Sequence, residues 1–195
     1  MHGLIPKAIQ SFFVTTYGAE RWNRVIGGAG LSFAEFEPML RYEQAQCDGV
    51  LDAIESELGR SIPEFLEDLG TFLVSNPQLE SLRRLLRFGG VTYEDFLHSL
   101  DDLPARTRLA VSDLELPLLE LRETGPNAFS LTCGSGIPGF GHVMVGILRA
   151  LADDYGALVM LECSKSPDGS DEIGITLIES SFAAGRSFDL GTRSC

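Results

Sequence analysis

The side chains able to do chemistry are few and scattered. Histidines occur at positions 2, 98 and 142, and cysteines at 47, 133, 163 and 195. An imidazole or a thiolate can ligate a metal or attack an electrophile. No CxxC or HxxxH spacing pairs them here, so a structural zinc site is not expected. No serine, histidine and aspartate fall in a motif that supports nucleophilic catalysis. The glycine-rich run GSGIPGFG, residues 134–141, lacks the lysine of a phosphate loop and the strand-to-helix frame of GxGxxG. The acidic pairs Asp101-Asp102 and Asp153-Asp154 read as surface charge on solvated helix faces. The chain is therefore not expected to be an enzyme.

The most informative stretch is YEDFLHSLDDLPARTRL, Tyr93 to Leu109. It reads as an amphipathic helix whose apolar side is Phe96, Leu97, Leu100 and Leu103. The next position on that side is Pro104. Proline lacks an N–H, crowds the carbonyl of Leu100 and biases Leu103 away from helical angles, so the helix should stop or kink there. His98 lies six residues earlier. Six steps place it roughly 240° around the axis, facing away from the apolar side.

The elements that must position these residues change character along the chain. Residues 1–90 read as helices. Leu4, Ile5, Ala8, Ile9, Phe12 and Phe13 repeat at helical spacing, and a second helix over Ala19 to Ile26 closes at Gly27-Gly28. Ser32 and Glu35 form a capping box for a short third helix. Cys47 to Leu58 follows, then a helix opened by Ser61 as cap with Pro63 in its first turn, then a basic amphipathic helix over Leu79 to Phe88. Thr92 and Asp95 cap the helix that carries Phe96. Beyond Leu109 the pattern alternates. Leu114 to Arg122 and Asn127 to Cys133 read as strands about a Gly125-Pro126 turn, Val143 to Tyr155 as an apolar helix, and Ala157 to Ser164 and Glu172 to Glu179 as a hairpin. The expected fold is α+β: a helical lobe over 1–90, then a lobe over 91–180 with a four-stranded antiparallel sheet and a packed helix. Residues 181–195 read as a tail or linker.

At 195 residues and 44% hydrophobic content the chain suits one domain in two lobes. A net charge of −13 should repel nucleic acid and anionic lipid. No apolar run has the length of a membrane span, and MHGLIPKAIQ does not read as a signal peptide. The expected location is the cytosol, where the four cysteines should be free thiols, with Cys133 and Cys163 buried in strands.

The run FLHSLDDL, the opening Met1-His2-Gly3-Leu4-Ile5, and Gly146, Ile147, Leu148 and Leu151 ahead of Tyr155-Gly156 together resemble the H-NOX family of haem nitric oxide/oxygen-binding sensor domains, over residues 1–180. The resemblance implies a haem ligated by a histidine just after the FLxxLDxL-like run. Here Pro104 holds that place. It also implies a YxSxR motif that clamps the haem propionates. Arginine suits carboxylates because its planar fork donates two parallel hydrogen bonds. This chain reads Cys133-Gly134-Ser135-Gly136-Ile137, which keeps only Ser135. By the same carry-over, Leu4, Ile5, Leu100 and Pro117 belong to the ligand pocket with Pro104, Cys133, Ser135 and Ile137. His98 and Cys133 are the candidate replacement iron ligands.

Loss of both ligand and clamp argues against haem held in the family's way. The leading expectation is a regulatory domain with an altered pocket that takes an apolar molecule. In the wider superfamily, vesicle-tethering subunits that enclose a fatty acyl chain offer a precedent by resemblance. Two alternatives stay open: a haem-based gas sensor with a non-standard axial ligand, and a protein-interaction module with a closed cavity. The resemblance further implies a signalling partner such as a histidine kinase or a cyclic-dinucleotide enzyme.

Overall fold

The helical spacing of the first residues produces α1 (Leu4–Tyr17), which ends at Gly18 with a φ of 91° that favours glycine. The helices α2 (Ala19–Gly28), α3 (Gln44–Leu58), α4 (Ile62–Ser75) and α5 (Glu80–Arg87) complete a helical lobe. Phe12, Phe13, Trp22, Phe36 and Phe65 fill its core. This computed structural model describes residues 1–186.

Several boundaries differ from the sequence expectation. Gly27 and Gly28 lie inside α2 rather than after it. No helix follows Ser32: residues 31–43 are irregular. Phe33 and Phe36 meet edge-on with centroids 5.2 Å apart, and the Phe36 N–H donates to Gln10 Oε1 at 2.9 Å. Aromatic burial and the Gln10 amide take the backbone that a capping box would have started. Ser61 precedes α4 as expected but its side chain makes no capping hydrogen bond.

The second lobe begins with α6 (Tyr93–His98). Its capping box forms as expected: the Asp95 N–H donates to Thr92 Oγ1 at 3.1 Å, and the Thr92 N–H to Asp95 Oδ2 at 3.0 Å. Pro104 does not stop this helix. The chain leaves α-geometry earlier, passing through a 3₁₀ turn at Leu100–Asp102, and restarts as α7 (Leu103–Ala110) with Pro104 in the first turn. A first-turn residue has no intrahelical acceptor for its N–H, so proline costs nothing there and starts a helix rather than breaking one. Phe96, Leu97, Leu100 and Leu103 are all buried, as their spacing implied.

The strands are β1 (Leu119–Gly125), β2 (Ala128–Cys133), β3 (Leu158–Lys165) and β4 (Asp171–Glu179), with α8 (Phe140–Tyr155) between β2 and β3. They form one antiparallel sheet in the order β1-β2-β4-β3. The first strand starts at Leu119, not Leu114. Residues 114–118 join no ladder because Leu114 and Leu116 turn toward a cavity instead. The β1–β2 turn places Asn127 at a φ of 56°, a left-handed position that asparagine tolerates. Alternate residues Phe129, Leu131, Ile173, Ile175 and Leu177 are buried in the core that α8 shares.

The lobes meet where α4 crosses α8. Gly70 and Gly146 lie at the crossing: a Cβ on Gly70 would strike the Val143 carbonyl, and one on Gly146 the Glu67 carbonyl. The two backbones approach as closely as glycine allows, and Thr71 Oγ1 reaches the Gly146 carbonyl at 3.4 Å. Beyond β4, residues 181–186 run back over the end of α8. The Ala183 N–H donates to the Gly156 carbonyl at 3.0 Å, and the Arg186 N–H to the Asp154 carbonyl at 2.9 Å. This part of the expected tail is held to the domain. Residues 187–195 lie outside the described residues.

Candidate functional site

A cavity of about 240 Å³ opens beneath the α4–α8 crossing, between the lobes. Leu4, Ile5, Ala8 and Ile9 of α1 form one wall, Leu66, Leu69 and Leu73 of α4 another, and Leu82, Leu85 and Leu86 of α5 a third. Leu103 and Thr107 of α7, Leu114, Leu116 and Ile137 from the loops, and Phe140, Met144 and Ile147 of α8 supply most of the rest. No charged side chain lines it. Its polar side chains are Gln44, Cys47 and Thr107. Gln44 is exposed at the edge, and its Nε2 donates to Asp48 Oδ1 at 2.7 Å. The buried Cys47 thiol is pushed above its ordinary pKa by desolvation, so it stays protonated. Such a wall suits an apolar guest. The volume is slightly below the ~300–1,000 Å³ of drug-sized ligand sites.

Of the residues singled out from the sequence, Leu4, Ile5 and Ile137 line this cavity, and Leu100, Pro104, Pro117, Cys133 and Ser135 do not. Leu100 and Pro117 are buried in the core beside it, and Pro104 is half-buried. Leu103 and Thr107, one residue before and three after Pro104, reach the space instead. Cys133 faces Asp171 and Leu119 across the sheet. Burial, with the Asp171 carboxylate and Cys163 adding to it, pushes its thiol up to about 12. It is a protonated core thiol rather than a thiolate ligand. Ser135 is exposed, in a polar surface groove with Arg122, Asp168 and Glu172.

The histidines are accounted for outside the cavity. His98 is exposed, with Nε2 3.4 Å from Glu123 Oε1. His142 Nδ1 lies 3.6 Å from Glu67 Oε1. His2 is buried, accepting from the Leu4 N–H at Nδ1 (3.2 Å) and placing Nε2 3.1 Å from Asp113 Oδ2. It fastens the chain start to the loop after α7. Among the described residues, no cluster of three or more histidine, cysteine or acidic side chains could hold a metal ion.

Haem asks for an axial donor and for cations beside two propionates. The cavity wall offers neither imidazole nor guanidinium, the clamp serine points to solvent, and the available space is small. The residues present do not fit haem held in the manner the resemblance implies.

One group that the sequence reading misplaced lies behind this wall. Asp154, expected on a solvated face, is 2% exposed. Its Oδ2 accepts from Arg83 Nε at 2.7 Å, and Arg186 Nε lies 3.6 Å from its Oδ1. Arg83 is itself buried, and its Nη1 reaches Glu80 Oε1 at 3.2 Å. Next along α5, the Arg87 guanidinium lies 3.7 Å from the centre of the Tyr155 ring. The signal available in the sequence was the basic face of α5, which needed a buried acid opposite.

A family model described as Haem-NO-binding, HNOB, matches residues 2–163. Among curated proteins, the chain is 23% identical over 154 residues to soluble guanylate cyclase gcy-31 of Caenorhabditis elegans, covering 79% of this chain and 22% of that protein. It is 20% identical over 160 residues to soluble guanylate cyclase 89Db of Drosophila melanogaster, covering 82% and 24% respectively. The chain thus spans less than a quarter of either cyclase. Among solved structures, the Fe(II) unliganded H-NOX protein from K. algicida superposes with a TM-score of 0.77 at 17% identity, over 92% of this chain and 97% of that one. The Fe(II)NO form of an H-NOX protein from S. oneidensis gives 0.73 at 14% identity, over 91% and 99%. These likenesses establish the H-NOX fold. No helix among the described residues is long and apolar enough to cross a membrane.

Proposed function

This chain belongs to the Haem-NO-binding (HNOB) family, and we propose that it is a sensory domain whose cavity takes a small apolar molecule in place of haem. The observation that carries the reading is the cavity wall: predominantly apolar and free of charged side chains, imidazole and guanidinium. Burial of apolar surface would supply the affinity, at roughly 25 cal/mol per Å² removed from water. The open space counts against a closed-cavity interaction module. A second reading, haem held through a non-standard donor, has Cys47 and Met144 in its favour, since both are in the lining. The raised pKa of the Cys47 thiol counts against that reading.

We read the domain as a sensor rather than a catalyst. The curated relatives are guanylate cyclases of which this chain matches a minor part, and a cyclase or kinase is the class of output it would govern. The physical route to such an output is α5. One face of that helix lines the cavity through Leu82, Leu85 and Leu86, while Arg83 on its other face holds Asp154 and, through it, the segment ending at Arg186. An occupant that displaces α5 would load this ion cluster.

The test is chemical. Protein purified under native conditions, denatured and extracted with organic solvent, should release an apolar compound in near-stoichiometric amount by mass spectrometry. An extract whose stoichiometric component is protoporphyrin would overturn the proposal.

A further inference from the structure

We propose that the occupant carries one uncharged hydrogen-bonding group, such as a hydroxyl or carbonyl, directed at Thr107, and that the site discriminates against a carboxylate on the same chain. This rests on the reading of the cavity as a ligand site. Thr107 lines the cavity and is 9% exposed. A threonine inside a helix usually turns its hydroxyl back to the carbonyl four residues earlier, as Thr71 does to Glu67 at 3.2 Å. Thr107 does not: its side chain has no hydrogen-bond partner among the described residues, and its hydroxyl is not sealed against protein atoms. A hydroxyl so placed keeps an unused hydrogen-bonding capacity that a polar group on the guest can take up.

The remaining lining fixes the charge of that partner. With no lysine, arginine or histidine side chain in the wall, and the terminal ammonium of Met1 already donating to the Tyr42 carbonyl at 2.7 Å, an ionised headgroup inside would find no side-chain counter-charge. The chain's net charge of −13 adds repulsion. Gln44, the other side chain able to recognise a polar group at the edge, already donates to Asp48. The Thr107 hydroxyl can donate to a carbonyl or ether oxygen and accept from an alcohol.

The experiment compares octanol, octanoate and chlorooctane by calorimetric titration and thermal shift of the full chain, in wild type, Thr107→Val and Thr107→Ser. Wild type should bind octanol at least fivefold more tightly than either other ligand. Thr107→Val should lower octanol affinity about five- to tenfold, one hydrogen bond's worth, and leave chlorooctane unchanged. Thr107→Ser should retain the preference, which separates hydroxyl chemistry from a packing defect. Octanoate binding as tightly as octanol, or an unchanged preference in Thr107→Val, would overturn the inference while leaving the apolar-ligand reading standing. Failure of all three ligands to bind would overturn both.

Discussion

The two faces of α5 solve opposite problems within eight residues. Toward the cavity it presents Leu82, Leu85 and Leu86 to a space lined by no charged side chain. Toward the end of α8 it buries Arg83 against Asp154, with Arg186 completing the cluster. The first face leaves apolar surface uncovered, which forfeits packing contacts that an apolar guest would restore. The second buries charge that is tolerable only because every member is paired. The cavity face leaves room that other side chains or a guest could fill, whereas the charged face fixes the junction of α5, α8 and the chain beyond β4.

Breaking the charged face should have the largest effect. Asp154→Ala leaves Arg83 buried without its main acceptor, and a loss of about 3–5 kcal/mol is expected from urea unfolding. A smaller loss than that of an average surface substitution would mean the ion cluster does not hold this junction. Next comes the cavity face. Leu86→Ala removes a buried wall residue that already borders open space, so it should cost about 2–3 kcal/mol, the lower part of the range for buried leucine. It should also let the site accept a longer alkyl chain in calorimetry.

The thiols sharpen the comparison further. Cys47 lines the cavity and Cys133 does not. Both should react slowly with maleimide near neutral pH, because burial raises both pKa values, that of Cys133 to about 12. Saturation with an apolar ligand should slow Cys47 still more and leave Cys133 unchanged, read by mass mapping of the labelled peptides.

The smallest effect belongs to a half-buried carboxylate remote from the cavity lining. Hydrogen bonds from Arg24 and Arg21 hold the Glu57 carboxyl down at about 2, below its ordinary 4.5. A depressed carboxylate contributes its stability above the unfolded value and loses it as pH falls through the folded one. Glu57→Gln should therefore flatten the stability profile slightly between about pH 4.5 and 2, with no change near neutrality. A salt-sensitive but modest difference is expected, since both arginines of the cluster reach solvent.

Much of this arrangement was legible in the residues. The helical periodicity of Leu4 to Phe13, the Thr92–Asp95 capping box, the buried side of Phe96 to Leu103 and the alternation in the strands all carry local signals, and the structure follows them. What escaped was long-range. The fate of Ser32–Glu35 was decided by Gln10 and an aromatic cluster drawn from distant positions. Asp154 was misplaced because its partner, Arg83, is 71 residues away. The effect of Pro104 turned on whether it ended one helix or began another, and a turn ending at Asp102 decided that. Thr107 carries no motif, and only the cavity marks it. The expectation that the haem-holding residues are replaced, by contrast, rests on local residues alone, Pro104 and the Cys133 to Ile137 run.

Whether the cavity takes haem separates an apolar-ligand domain from a haem sensor. It is tested most directly by the visible spectrum of the protein purified from haem-supplied cells and passed through a desalting column. No stoichiometric Soret band is expected. A Soret band equivalent to one haem per chain that survives desalting would contradict the apolar-ligand reading.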